Sequence, residues 1–241
     1  MAGPLKQFEI KPLIPIEIAG YDVSFTNSAM WMAIAIITSL AFFLIVTRKP
    51  QIIPGRGQVF AESMYQFIAG MVQDNIGSKG REYFPLIFTI FVVVLMGNML
   101  GMIPYAFTYT SHIAVTMGLA LAIFLFVTIL GFVKHGTHFF SLFCPEGVPL
   151  LLKPLIIPIE VLSYLIRPVT LSVRLFANMM AGHLMLKVFA GFSVTMGIAL
   201  GVIPMFFNVA LIGFEFLIAF LQAYVFTILS CIYLKDAIEL H

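Results

Sequence analysis

Charge is what this sequence has least of: Lys, Arg, Asp and Glu together make up 10% of 241 residues, against roughly a quarter in soluble globular domains. With 61% hydrophobic residues and a mean hydropathy of +1.06, such a chain belongs in a bilayer. Its formal net charge is only +2, and its basic residues sit in short clusters between apolar stretches, which excludes a nucleic-acid-binding face. Cys144 and Cys231 lie far apart, so they give neither a disulfide framework nor metal-ligand spacing, and both read as inert. There is no GxxxxGK[ST] phosphate loop, so the chain does not hydrolyse nucleotide by that route. The segment from Met1 to Phe25 lacks the charged, apolar and small-residue zones of a signal peptide and reads as mature sequence, which leaves insertion to internal spans.

What is present is a set of long apolar runs. About 20 apolar residues cross a hydrocarbon core roughly 30 Å thick. The run 23–47 predicts one helix, opening at Thr26-Asn27-Ser28, which are good capping residues, and closing at Arg48-Lys49-Pro50. The run 83–133 is too long for one crossing; Gly97, Asn98, Gly101 and Pro104, with the polar patch Thr108 to His112, predict a break and therefore a hairpin. A second, longer hairpin is predicted over 145–236, turning near Met196-Gly197. Over 57–75, Phe60, Met64, Phe67 and Met71 recur at helical spacing opposite Gln58, Glu62, Gln66 and Gln73, which predicts an amphipathic helix lying at the membrane interface. The expected fold is thus a single all-α integral membrane domain over 1–241: an N-terminal segment 1–22, five spans and one interfacial helix. Arg48, Lys49, Arg56, Lys79, Arg81, Lys134, Lys153 and Lys235 fall on one side, and Lys6, Lys11 and Lys187 on the other. The more basic side is expected to be cytoplasmic, or the matrix side in a mitochondrion.

An ionised side chain at a helix centre costs about 2.5–3.5 kcal/mol on insertion scales, so each one inside a span needs an explanation. Glu160, Arg167 and Arg174 are spaced by seven and form one slowly drifting stripe. Arg167, beside Pro168, either snorkels to headgroups or pairs with Glu160. Arg174 has no acidic residue three or four positions away, so its partner must come from elsewhere. Thr170, Arg174, Ala177 and Ala181 give that helix a face of small residues on which another helix can approach closely. The returning helix carries Asn208, Glu215 and Gln222, again spaced by seven. In an antiparallel hairpin turning near Met196-Gly197, His183 lies level with Glu215, and Arg174 with Gln222. Nine residues separate Arg174 from His183, about half a turn out of phase, so a straight helix points them in opposite directions. A carboxylate and an imidazole at one depth in an apolar setting are groups suited to exchanging protons near neutral pH, or to satisfying one another as a buried pair.

The stretch from Leu171 to His183, Leu-Ser-Val-Arg-Leu-Phe-Ala-Asn-Met-Met-Ala-Gly-His, resembles the signature of subunit a of F-type ATP synthases, of the alphaproteobacterial and mitochondrial type. The likeness extends through Pro154 to Glu160, the Gln222-Ala-Tyr-Val-Phe stretch, and Gly97 to Pro104. Ala177 departs from the Gly common in the motif, and His183 and Glu215 stand where some bacterial members have the two residue types exchanged. The resemblance implies a non-catalytic, proton-translocating subunit working beside a ring of c-subunits, with the b-subunit peripheral stalk and other ATP synthase subunits as partners. It implies no cofactor and no bound nucleotide. Arg174 would match the invariant arginine separating two aqueous half-channels, with Asn178 and Gln222 matching characteristic polar positions. Glu215, His183, Asn208 and His112 would line the outer path, and Glu160 would lie near the cytoplasmic exit. The long hairpin would lie tilted beside the c-ring, in a bacterial inner membrane or a mitochondrial one.

Two rival readings remain. A secondary transporter is expected to show an internal repeat, and the two hairpins share no motif. An intramembrane metalloenzyme would draw on His135 and His138, but no third ligand cluster accompanies them.

Overall fold

The computed structural model describes residues 9–15, 17–18, 21–22, 24–48, 51–103, 106–143 and 152–239. Lys6, Lys49, Pro50, Pro104 and Cys144 lie outside them. Near the N-terminus two small antiparallel ribbons form: β1 (Pro12–Ile14) pairs with β4 (Phe25–Thr26), and β2 (Glu17–Ile18) with β3 (Tyr21–Asp22). Thr26 has extended backbone geometry and its hydroxyl accepts from the Ala29 N–H at 3.4 Å, so α1 (Asn27–Thr47) begins at the expected cap.

α2 (Arg56–Ile76) is amphipathic, and the face it buries in the bundle is a different one from the aromatic stripe expected at the membrane interface. Ala61, Ile68, Met71, Val72 and Ile76 are buried, whereas Phe60 and Phe67 are exposed. The buried face is rotated by about one residue, because α2 packs on α3 and α7 and small or β-branched side chains permit the closer approach. Phe67 still meets Phe91, Phe220 and Tyr224 in tilted ring contacts, with centroids 5.8–6.1 Å away.

A tight 3₁₀ segment, Gly77–Tyr83, starts at a glycine with φ +76° and feeds α3 (Phe84–Gly101). Gly97 and Asn98 do not break that helix, which runs through them to Gly101. Their role is close packing. A Cβ at Gly97 would enter the Tyr109 ring and one at Gly101 would enter the Thr108 side chain. Asn98 is fully buried and its amide donates to the Ala219 carbonyl at 3.2 Å. The polar patch after α3 folds back into the bundle as one short turn, Tyr109–Ser111. Thr108, Tyr109, Thr110 and Ser111 are all buried.

α4 (Ile113–His135) and a further 3₁₀ segment, Gly136–Phe143, lead to α5 (Lys153–Thr195), a 43-residue helix containing Pro158 and Pro168. Gly197, with φ +74°, turns the chain through the short α6 (Gly197–Leu200) into α7 (Val202–Ile238). The hairpin therefore turns where the sequence predicted. Among the described residues, five helical segments are long and apolar enough to cross a membrane. Lipid tails are as apolar as the core, so association rests on packing and interhelical hydrogen bonds. Accordingly, Ala219, Ala223 and Ala237 sit at the α7 interface among the buried Phe91, Leu175, Met179 and Phe226. The Thr116 and Ser172 hydroxyls meet at 3.0 Å, and those of Thr128 and Tyr164 at 2.7 Å. Large side chains on the outer faces, Leu44, Ile45, Val133 and Phe206 among them, are exposed as a lipid-facing surface requires.

Candidate functional site

Antiparallel packing of α5 on α7 sets polar side chains of the two helices against one another in a ladder. At the end near the α7 C-terminus, Arg167 does not pair with Glu160. Its Nη1 donates to Asp236 Oδ2 at 2.8 Å, and its guanidinium lies 5.2 Å from the Tyr164 ring centroid and 5.0 Å from that of Tyr233. Pairing across the hairpin wins because Asp236 meets the guanidinium directly and both rings contribute cation–π attraction. Glu160 is half-buried on the first third of α5, with no ion pair among the described residues.

Further along, the Asn178 amide donates to Gln222 Oε1 at 2.7 Å. Gln222 is buried and is therefore taken by Asn178 rather than standing opposite Arg174, since an amide satisfies a buried amide without desolvating a charge. The last rung joins His183 Nδ1 to Glu215 Oε1 directly. Glu215 is 3% exposed, and Gly182 makes room for it: a Cβ there would stand 2.8 Å from Oε1 and 3.1 Å from Cδ. On its other side, His183 Nε2 lies 2.9 Å from the Gly101 carbonyl and 2.8 Å from the Thr108 hydroxyl. Thr108 was not among the sequence candidates. The only hint of it was the hydroxyl-rich run Thr108 to Ser111 following two glycines.

A cleft of about 1030 Å³ reaches this rung, lined by Glu9, Lys11, Asn27, Lys187, Asn208 and Glu215 among others. Asn27 ties its rim together, accepting from the Lys11 N–H and donating to the Glu9 carbonyl, each at 3.2 Å. Asn208 presents a buried Oδ1 with no hydrogen-bond partner among the described residues. His112 stands apart from the cleft lining, stacked on Phe107 at 5.0 Å, with a buried Nε2 that has no hydrogen-bond partner among the described residues.

Arg174 takes the opposite direction. It is exposed, as are Thr170, Ala177 and Ala181, and no hydrogen bond or ion pair to it is found among the described residues. One face of α5 therefore presents a guanidinium on small residues, while His183, about 13.5 Å further along the axis, is turned into the bundle.

The two loop histidines are otherwise engaged: His135 Nε2 lies 3.3 Å from the Ile238 carbonyl and His138 Nδ1 3.3 Å from the Ser141 hydroxyl. Among the described residues no cluster of three His, Cys, Asp or Glu is placed to hold a metal ion.

Comparison with known proteins gives a consistent result. The model of the family described as ATP synthase A chain matches residues 28–235. Two relatives from Rhodospirillum rubrum, each named ATP synthase subunit a, are 56% identical over 241 residues, covering 100% of this chain and 100% of theirs.

Proposed function

The chain belongs to the ATP synthase A chain family, and on that premise we propose that it forms two proton half-channels beside a ring of c-subunits, with Arg174 as the barrier between them. At the coarser level it is a multi-pass, proton-translocating subunit of the ATP synthase membrane sector and is not itself catalytic. The observation that carries the finer reading is the divergence of two polar groups on α5: His183 and Glu215 line a cleft that also holds Glu9, Lys11 and Asn208, and Arg174 stands exposed on small residues without an acidic partner among the described residues.

In this reading protons enter through the cleft past Asn208 and reach Glu215 and His183, whose Oε1 and Nδ1 share a proton across one contact. From there they neutralise a carboxylate on the facing c-subunit. The ring carries it nearly a full turn, and the proton leaves by a second path on the other side, towards Glu160. A deprotonated ring carboxylate about 4 Å from the Arg174 guanidinium is held by ~4 kcal/mol at an effective dielectric of 20. That attraction is enough to keep the carboxylate ionised as it passes and to repel a proton crossing directly between the paths. Ala177 and Ala181 allow the ring helix to approach, and the Asn178–Gln222 rung holds α5 and α7 together behind it. The b-subunit stalk is the further partner, and a bacterial inner membrane the setting.

Single replacements His183→Ala and Glu215→Ala in the assembled complex test the entry path. Each is expected to cut ATP-driven proton pumping severely, and the exchanged pair His183→Glu with Glu215→His to restore part of it. Normal pumping by both single variants would make the pair a packing feature and remove the entry path.

A further inference from the structure

The surroundings of His183 say more than that it meets Glu215. Its Nε2 faces two oxygens, the Gly101 carbonyl at 2.9 Å and Thr108 Oγ1 at 2.8 Å, and Thr108 Oγ1 lies 3.0 Å from the same carbonyl with donor geometry towards it. A carbonyl only accepts. A hydroxyl has one hydrogen, and once Thr108 donates it to Gly101 its oxygen is left as an acceptor. Both neighbours of Nε2 are then acceptors, so a bare Nε2 lone pair would point at two others, whereas Nδ1 can stand bare by accepting the shared proton from a protonated Glu215. From this we infer that Thr108 and the Gly101 carbonyl lock His183 with Nε2 protonated, leaving Nδ1, the nitrogen facing Glu215, as its only proton-exchanging atom.

The cradle is built rather than incidental. Thr108 is buried, its carbonyl accepts from the Ser111 hydroxyl at 2.6 Å, and its side chain fills the space a Cβ on Gly101 would need. Three segments converge on one ring: α3 supplies the carbonyl, the turn after it the hydroxyl, and α7 the carboxylate. The charged and titratable groups facing His183 are Glu215 directly, Lys187 from one turn along α5, and Glu9 and Lys11 from across the cleft. Thr108 is thus a positioning residue. It keeps the ring from flipping and prevents Nε2 from taking a proton from the cleft that never reaches Glu215.

The inference rests on His183 and Glu215 exchanging protons, and its test separates the two ideas. The assembled complex, labelled with ¹⁵N-histidine and reconstituted in bilayers, is measured by solid-state NMR at a pH where the ring is neutral and Glu215 holds the shared proton, with His183→Gln identifying the signal. The native protein should show His183 as one tautomer with Nε2 protonated, and Thr108→Val a mixture of two. Thr108→Val should also slow ATP-driven pumping about tenfold, the effect of one lost charge-assisted hydrogen bond, and shift its pH profile, while Thr108→Ser should match the native protein in all three. A native signal with Nδ1 protonated and Nε2 bare would overturn the inference, as would a Thr108→Val complex unchanged in tautomer and pumping. If Thr108→Val fails to assemble, the native spectrum alone decides. Failure of the proton-exchange reading would appear elsewhere, as normal pumping in His183→Ala and Glu215→Ala.

Discussion

Arg167, a third of the way along α5, and Asp236, near the C-terminal end of α7, fasten the two helices together, and separating them should weaken the hairpin by an amount the geometry bounds. Their side chains are 25% and 31% exposed and the contact is 2.8 Å. The pair therefore falls between an exposed ion pair, worth about 0.2–1 kcal/mol, and a fully buried one, whose rupture costs about 3–5 kcal/mol. Two ring faces at 5.0 and 5.2 Å add about 0.5–1 kcal/mol each. Arg167→Gln, losing the pair and both ring contacts, should destabilise by about 2–4 kcal/mol, and Asp236→Asn by about 1–2 kcal/mol. The double variant should resemble Arg167→Gln alone, which gives a coupling energy of about 1–2 kcal/mol. Detergent-titrated unfolding of the four proteins in bicelles, arranged as a double-mutant cycle, measures it. Single effects that add to within about 0.5 kcal/mol would show that the two side chains do not interact.

The other expectations are simpler. Gly182→Ala places a Cβ 2.8 Å from Glu215 Oε1, so it should lower proton pumping several-fold while the complex still assembles. Gly70→Ala, on α2 with nothing within 4 Å of the new Cβ, should leave pumping unchanged; equal loss in both would trace the effect to helical glycine in general. Single cysteines at Ser141 and Ser78 should react with an impermeant thiol reagent only from the cytoplasmic side, and one at Ser24 only from the other; labelling of Ser141→Cys from outside would invert the orientation.

The spans and the turn at Gly197 were legible because hydropathy and chain length fix how often an apolar run can cross a bilayer. The level placement of His183 and Glu215 was legible for a related reason: once the turn is located, antiparallel counting sets the depth. Counting is less reliable by one helical turn, which is why Gln222 meets Asn178 and not Arg174. Arg167 was misread because Asp236 lies 69 positions away, just inside the C-terminal end of α7, while Glu160 stood on the same helix. The face that α2 buries in the bundle was not legible, because large aromatics dominate its apolar periodicity, whereas the contact with α3 and α7 favours Ala61, Ile68 and Val72. Thr108 was illegible because the His183 ring it meets is 75 residues distant.

The role of Arg174 is the centre of the account, because it is an exposed guanidinium on an apolar helix face without an acidic partner among the described residues. Lysine should replace it poorly, since a compact ammonium lacks the delocalised and persistently charged guanidinium fork. The most direct measurement uses sealed vesicles carrying the assembled Arg174→Ala complex, with ATP synthesis and passive proton flux through the membrane sector recorded side by side. Synthesis and ATP-driven pumping should vanish while passive proton flux persists or rises, as expected when a barrier between two half-channels is removed. Normal ATP synthesis in those vesicles would contradict the account outright.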